Sequence, residues 1–230
     1  MGLLSFDITD KQLKIVRGVQ SGAKVRIAGT LIIDINDGLI VNGFIQDIPR
    51  LASIISEKFR EKRIVEKEAV VSISSSQIVF KELSIPQAKN AQLKTIVQNQ
   101  IQQNMQVTDE YSVAYTIVGE EEVSGSKMCK ILASACPKTV VDDFRKLFGM
   151  LGVTLKSFSA SCSCIARVVL ADNKNRDKMP LLVIQIDDNF LNISLFEQNQ
   201  LAFSRHVSID KDDYEGEDYL TQALNDNVFR

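Results

Sequence analysis

A chain of 230 residues, 45% of them hydrophobic, holds enough apolar material for the core of one or two domains. A formal net charge of −2 leaves no basic footprint for nucleic acid, and no apolar run approaches the roughly 20 residues of a membrane span. The opening MGLLSFDITD lacks the basic and long apolar regions of a secretory signal, and Phe6 stands where a myristoylation pattern wants Ser or Thr.

LLSFDI (3–8) and QLKIVRGV (12–19) are apolar-rich runs parted by Thr9, Asp10 and Lys11, which predicts strand, polar turn and strand. VRIAGTLIIDI (25–35) adds a third strand, and Asn36-Asp37-Gly38 signals a turn because these residues tolerate positive φ. LIVNGFI (39–45) completes an expected antiparallel meander. Asp47 then caps a helix, Pro49 suits its first turn, and Ile48, Leu51, Ile54, Ile55 and Phe59 recur as one apolar stripe. AVVSIS (69–74) reads as a short central strand.

IVFKELSI (78–85) ends at Pro86, which opens a helical pattern reaching about Met105 with Leu93, Ile96, Val97, Ile101 and Met105 as its stripe. Its other face is rich in Gln and Asn (Gln98, Asn99, Gln100, Gln102, Gln103, Asn104), a solvated face or a partner surface. YSVAYTIV (111–118) and MCKILASAC (128–136) read as strands with GEEEVSGSK as the loop near their junction. A helix over about 138–151 buries Val140, Val141, Phe144, Leu147, Phe148 and Leu151, and Gly152 suits its C-terminal cap. VTLKSFS (153–159) and a helical SCIARVVL run (163–170) lead to ADNKNRDKM (171–179), a polar linker. Strands at 181–186, 191–196 and 201–207 follow, then the acidic DKDDYEGEDY and a short helical end.

Four cysteines, at 129, 136, 162 and 164, fit free thiols in a reducing compartment. Cys162 and Cys164 form a C-x-C pair, but there is no second close-spaced pair and the only histidine, His206, is remote, so no zinc pattern is complete. No carboxylate–histidine or Cys–His dyad falls within sequence range of catalytic work.

FDITDKQLKIV (6–16) and IQIDDNFLNISLF (184–196) repeat one design on either side of the linker: strand, polar turn carrying Asp, strand. Duplicated halves of this kind resemble the actin-like ATPase fold. The first hairpin with Asp7 and Lys14, then LIIDINDGLIVNGFIQD, AVVSISSSQIVFKELSIP and KILASACPKTVVDDFRKLFGMLGVTLKSFS together resemble the PilM family of type IV pilus machinery, itself similar to the cell-division protein FtsA. The resemblance covers nearly the whole chain, and it rests on the order and spacing of these segments.

That resemblance implies an α/β protein, mixed sheets flanked by helices. Subdomain 1A would occupy 1–80, an FtsA-type inserted (1C-like) subdomain 81–155, a return to 1A 156–172, and an incomplete second half (2A-like) 180–230. It implies a cytoplasmic scaffold at the inner face of the membrane. Its partners would be the N-terminal tail of a PilN-like inner-membrane protein and the pilus extension and retraction ATPases. The tail would lie in a groove with Ile85, Leu93, Val97 and Ile101 as candidate contacts, residues that a plain helix core would equally use. A GspL-like cytoplasmic domain of type II secretion is the alternative.

In the actin-like fold the first hairpin of each half wraps nucleotide phosphates. Asp7, Thr9 and Lys11, with Gln185, Asp187 and Asn189, are therefore the nucleotide-site positions. Such a turn needs backbone N–H groups, glycine for close approach and small hydroxyl donors. The family's Gly-Ser-Ser-Ser is Thr9-Asp10-Lys11-Gln12 here; in the second turn Gln185 replaces the metal-side Asp, Asp187 the tight-turn Gly and Asn192 the later Asp. A carboxylate about 4 Å from a phosphate charge is repelled by roughly 1 kcal/mol in water and by more at a partly buried site, unless Mg²⁺ bridges the two. No cofactor, no metal and no ATP turnover are therefore expected, with a nucleotide-switched ATPase as the alternative. The segment 208–230 leaves no room for an adenosine-gripping subdomain, which fits either a fragment or a protein that has discarded that side.

Overall fold

The structure, a computed structural model, describes residues 2–21, 24–35, 38–87, 90–123, 125–187 and 189–228. The chain divides into two compact units, Met1–Ser75 with Lys138–Cys164, and Ser76–Pro137 with Ile165–Arg230.

The first unit begins with β1 (Gly2–Ile8), β2 (Gln12–Ser21) and β3 (Lys24–Asp34), an antiparallel meander as the apolar runs and polar turns predict. Leu4, Phe6, Ile8, Leu13, Ile15 and Ile33 point to one face and are buried. The run 39–45 departs from the expected fourth strand. It folds back on itself as β4 (Ile40–Val41) and β5 (Phe44–Ile45), paired across Asn42 and Gly43, whose φ values are 51° and 81°. Asn-Gly is the dipeptide that such a tight positive-φ turn demands. Asn36 and Asp37 of the expected turn lie outside the described residues.

Helix α1 (Ile48–Glu61) starts where the capping residues place it, with the Asp47 carboxylate accepting the Arg50 N–H at 2.9 Å. It buries Leu51, Ala52, Ile55 and Phe59. Strand β6 (Glu68–Ile73) lies parallel to β1. The chain then enters the second unit through β7 (Val79–Pro86), α2 (Asn90–Met105), β8 (Tyr111–Val123) and β9 (Ser126–Pro137). These strands form an antiparallel sheet in the order β7-β9-β8. Two expectations change here. Pro86 ends a strand, and the helix begins at Asn90. The 119–127 segment, expected as a loop, extends the hairpin, because Glu120, Glu121 and Glu122 pair with Cys129, Met128 and Lys127 and leave only a tight turn at Gly125 (φ 79°); Ser124 lies outside the described residues.

α3 (Lys138–Met150) and β10 (Thr154–Ala160) belong again to the first unit. β10 joins the sheet beside β6, giving the order β10-β6-β1-β2-β3, so β6 is the interior strand its sequence predicts. α3 buries Val140, Val141, Phe144, Leu147 and Phe148, and Gly152 beyond it takes φ 64°. Phe148 meets Phe6 edge-on at 4.9 Å between centroids, and Phe144 meets Phe158 at 5.4 Å. The chain thus rejoins the first unit at Lys138. The apolar stripe of α3 is the reason, since it completes the core under Phe6.

α4 (Ser161–Ala171) is followed by a 3-10 helix, Asn173–Lys178, in the segment expected to be a linker. The Asp172 carboxylate caps it through the Lys174 N–H at 3.0 Å. β11 (Leu181–Asp187), β12 (Phe190–Glu197) and β13 (Gln200–Ser208) form an antiparallel sheet in that order. α5 (Tyr219–Val228) contributes Ala223 to a small core with Leu191 and Ile209. Among the described residues no helix is long and apolar enough to cross a membrane.

Candidate functional site

The turn between β1 and β2 is closed by its own atoms. The Thr9 N–H donates to the Gln12 carbonyl at 3.0 Å, the Gln12 N–H donates to Thr9 Oγ1 at 3.1 Å, and that hydroxyl donates to the Gln12 carbonyl at 3.2 Å. Thr9 is only 5% exposed. The Lys11 carbonyl accepts the Ile35 N–H at 2.9 Å, and its side chain is exposed. Asp7 is half-buried beneath the turn, where Oδ1 accepts the Ser72 hydroxyl at 2.9 Å.

Asp10 reaches away from the turn. Its Oδ2 accepts the Asn42 N–H at 2.7 Å and its Oδ1 accepts the Gly43 N–H at 3.1 Å. Two successive N–H groups from positive-φ backbone make a concavity suited to an anion. Here a side-chain carboxylate fills it, and the 2.7 Å bond from Asn42 has the short distance of a charge-assisted bond. The Ser75 hydroxyl donates to the Asn42 carbonyl at 2.7 Å and holds the same corner from the other side. Gly43 is required there: a Cβ would stand 3.0 Å from Ser75 Cβ at a φ of 81°.

The second hairpin is organised differently. Asp187 pairs with Phe190 across the turn, and the Asn189 carbonyl accepts the Ile209 N–H at 2.7 Å; Asp188 lies outside the described residues. Below the turn Gln185, Asn192 and His206 stand in register on three strands. Asn192 Nδ2 donates to Gln185 Oε1 at 3.0 Å, and Asn192 Oδ1 lies 2.7 Å from His206 Nδ1, which donates when that nitrogen carries the proton. Asn192 is 5% exposed, and Phe190 lies against the His206 ring at 5.3 Å. In the next row the Ser194 and Ser204 hydroxyls share a hydrogen bond of 3.2 Å. The carbonyl of Gln185, the one atom of that amide able to ligate a cation, is engaged by Asn192.

The structure therefore gathers Asp7, Thr9 and Lys11 at one hairpin and Gln185, Asp187 and Asn189 at the other. Asn42, Gly43 and Ser75, which seat Asp10, and His206, which ends the amide row, carry no prior assignment from sequence. The Asn-Gly dipeptide was the available signal for the first group. Ile85, Leu93, Val97 and Ile101 also come together, as the interior of the α2 layer with exposures of 0–4%, among Leu83, Cys129, Ile131, Ala133 and Ala135. Their placement is that of packing residues. Burial pushes the Cys136 thiol up to about 12, far from a reactive thiolate. Among the described residues no group of three or more His, Cys, Asp or Glu side chains is arranged to hold a metal ion.

The model of one protein family, described as type IV pilus assembly protein PilM, matches residues 5–225. A chain of a PilM-PilN type IV pilus biogenesis complex superposes with a TM-score of 0.78 at 15% identity, over 99% of this chain and 66% of that one, so the present chain spans about two-thirds of its length. A Bacteroides thetaiotaomicron protein of actin-like ATPase fold and unknown function superposes with a TM-score of 0.51 at 12% identity, over 98% of this chain and 76% of that one. No curated protein matches the sequence. With the family model spanning almost the full sequence and the fold shared with these structures, the chain belongs to the PilM family of type IV pilus assembly proteins and has an actin-like fold.

Proposed function

We propose that this protein is a scaffold of the type IV pilus assembly machinery that takes the N-terminal tail of a PilN-like inner-membrane protein and does not turn over ATP. In this reading it works at the cytoplasmic face of the inner membrane, reached through that partner, and connects it to the extension and retraction ATPases. The likeness to a chain of a PilM-PilN complex over 99% of this sequence supports the partner. An inserted subdomain of the FtsA type, carrying β7, α2, β8 and β9, would form one wall of the groove for the tail. Ile85, Leu93, Val97 and Ile101 would serve that wall by holding α2 on its sheet.

The observation that carries the non-catalytic part is Asp10. Its carboxylate sits on the Asn42 and Gly43 N–H groups, while the Thr9 donor is spent within its own turn. Gln185, likewise, gives its carbonyl to Asn192. Residues so engaged fit a nucleotide phosphate and its Mg²⁺ poorly, since the Thr9 donors are taken within the turn and Gln185 stands where the metal-side carboxylate would be.

Two measurements test the two parts separately. Calorimetric titration with a synthetic peptide of the PilN-type N-terminal tail is expected to give saturable heat, and silence at high micromolar peptide would sink the partner assignment. Thermal unfolding with millimolar Mg-ATP is expected to leave the midpoint unchanged. A ligand that binds the native state raises it by mass action, so a clear rise would instead support a nucleotide switch.

A further inference from the structure

We propose that the outer edge of β8 is a docking strand for an extended basic peptide segment, which would continue the β7-β9-β8 sheet by main-chain hydrogen bonds. β8 is 13 residues long and terminal in its sheet, with no described strand on its outer side. An open edge presents a row of N–H and C=O groups, which proteins ordinarily blunt with charged side chains (Lys above all), Pro, bulges, very short strands or a covering element. The other terminal strands follow that habit. β3 carries Lys24 and Arg26, β7 carries Lys81 and Pro86, β10 carries Lys156, β13 carries Arg205, and β11 follows Pro180. β8, YSVAYTIVGEEEV, contains no Lys, Arg or Pro; its three Glu lie past a register shift between Ile117 and Gly119, which leaves Tyr111–Ile117 as the regular part of the edge. Two of its apolar side chains are open to solvent, Ile117 at 51% and Val123 at 46% exposure, while Tyr111, Val113 and Tyr115 pack on the core.

Charge selects the occupant. Asp109 and Glu110 precede the strand and Glu120, Glu121 and Glu122 end it; all except Glu121 are exposed. Asp109 accepts from the Gln102 amide, Glu120 from the Gln87 amide and Glu121 from the Ser84 hydroxyl, and the Glu121 charge also acts on Lys130. Lys127 stands opposite Glu122 on β9, while Lys130 is held by Glu82 at 2.7 Å. A second copy pairing antiparallel along this edge would set Glu120–Glu122 against Asp109 and Glu110, a like-charge arrangement that opposes self-association. A segment with β-branched residues at its centre and Lys or Arg at its ends meets both the backbone row and the charge. This inference stands apart from the PilN-type partner and uses none of its evidence.

The test is fluorescence anisotropy of the full chain with a labelled probe, Lys-Lys-Val-Thr-Val-Thr-Val-Lys-Lys. Saturable binding is expected, weakened roughly tenfold by the paired exposed substitutions Glu120→Lys and Glu122→Lys and reduced further by salt. The same probe with alternate backbone nitrogens methylated keeps its side chains and is expected not to bind. Because that arm uses the unaltered protein, the proposal stays testable if the charge-reversed variant folds badly. Binding of the methylated probe, an unchanged affinity in a folded variant, or no signal at about 1 mM protein would each overturn the proposal. So would a concentration-dependent dimer of the unaltered protein that the charge reversal strengthens, since that would assign the edge to a second copy.

Discussion

The turn between β1 and β2 sends a carboxylate onto the backbone N–H groups of Asn42 and Gly43, whereas the hairpin of β11 and β12 carries a row of amide and imidazole side chains. The first arrangement ties together segments more than thirty residues apart, Asp10 with Asn42 and Gly43. It depends on one charge and one positive-φ turn. The second runs across three neighbouring strands in register and depends on burial of Asn192, whose partners are fixed by strand pairing. Both satisfy polar groups from within the chain itself. A hairpin of the right shape and place is therefore weak evidence for phosphate chemistry until its donors are accounted for.

Four substitutions break or sharpen this contrast, in order of expected effect. Gly43→Ala forces an L side chain into φ 81° and against Ser75, and should cost roughly 2–4 kcal/mol in urea unfolding by removing the seat for Asp10. A loss well under 1 kcal/mol would mean the corner is not under constraint. Asn192→Leu deletes the shared partner of Gln185 and His206 in a buried row and should cost about 1–3 kcal/mol. Asp10→Asn keeps the shape but loses the charge, so about 1 kcal/mol is expected, with faster hydrogen exchange at the Asn42 and Gly43 amides. Unchanged exchange there would deny the carboxylate its role.

The smallest effect lies at the far end of the first hairpin, where Arg17 grips Glu66 at 2.8 Å and acts as a control outside both turns. Burial pushes the Glu66 carboxyl up. Hydrogen bonds from Arg17 and from the backbone N–H groups of Glu66 and Val65, with the Arg17 charge, outweigh it and bring it below its ordinary 4.5. A lowered folded value contributes stability that is complete above the unfolded one and lost as pH falls through the folded one. The stability gap between the unaltered protein and Glu66→Gln is thus expected to narrow as pH drops from neutral to below 4.5. A gap that stays constant through acid would show that the ion pair contributes nothing.

Much of the fold was legible because local rules operate within a few residues. Asp47 and Pro49 start α1, Gly152 follows α3 at positive φ, and apolar runs parted by polar turns mark β1, β2 and β12. The misread segments share a cause. Asn42-Gly43 lies inside an apolar run that suggested one strand, and the Glu-rich 120–122 segment is polar enough to suggest a loop. Strand pairing with Lys127–Cys129 overrides that composition. Site positions were legible only as positions: Asp7, Thr9, Lys11, Gln185, Asp187 and Asn189 all lie at hairpin ends. What their neighbours do with the available donors was not.

By itself the sequence determined the periodicities, caps and turns, and the order of segments that carries family membership. These are properties of short stretches, set by backbone sterics and apolar spacing. Only the tertiary structure decided that Asp10 is a clamp, that Gln185 surrenders its carbonyl to Asn192 and so to His206, and that the stripe of α2 is sealed in a core. Hydrogen bonds and burial join residues tens of positions apart. Whether a polar group faces a ligand or its own chain depends on which of those distant partners the fold brings within 3 Å of it.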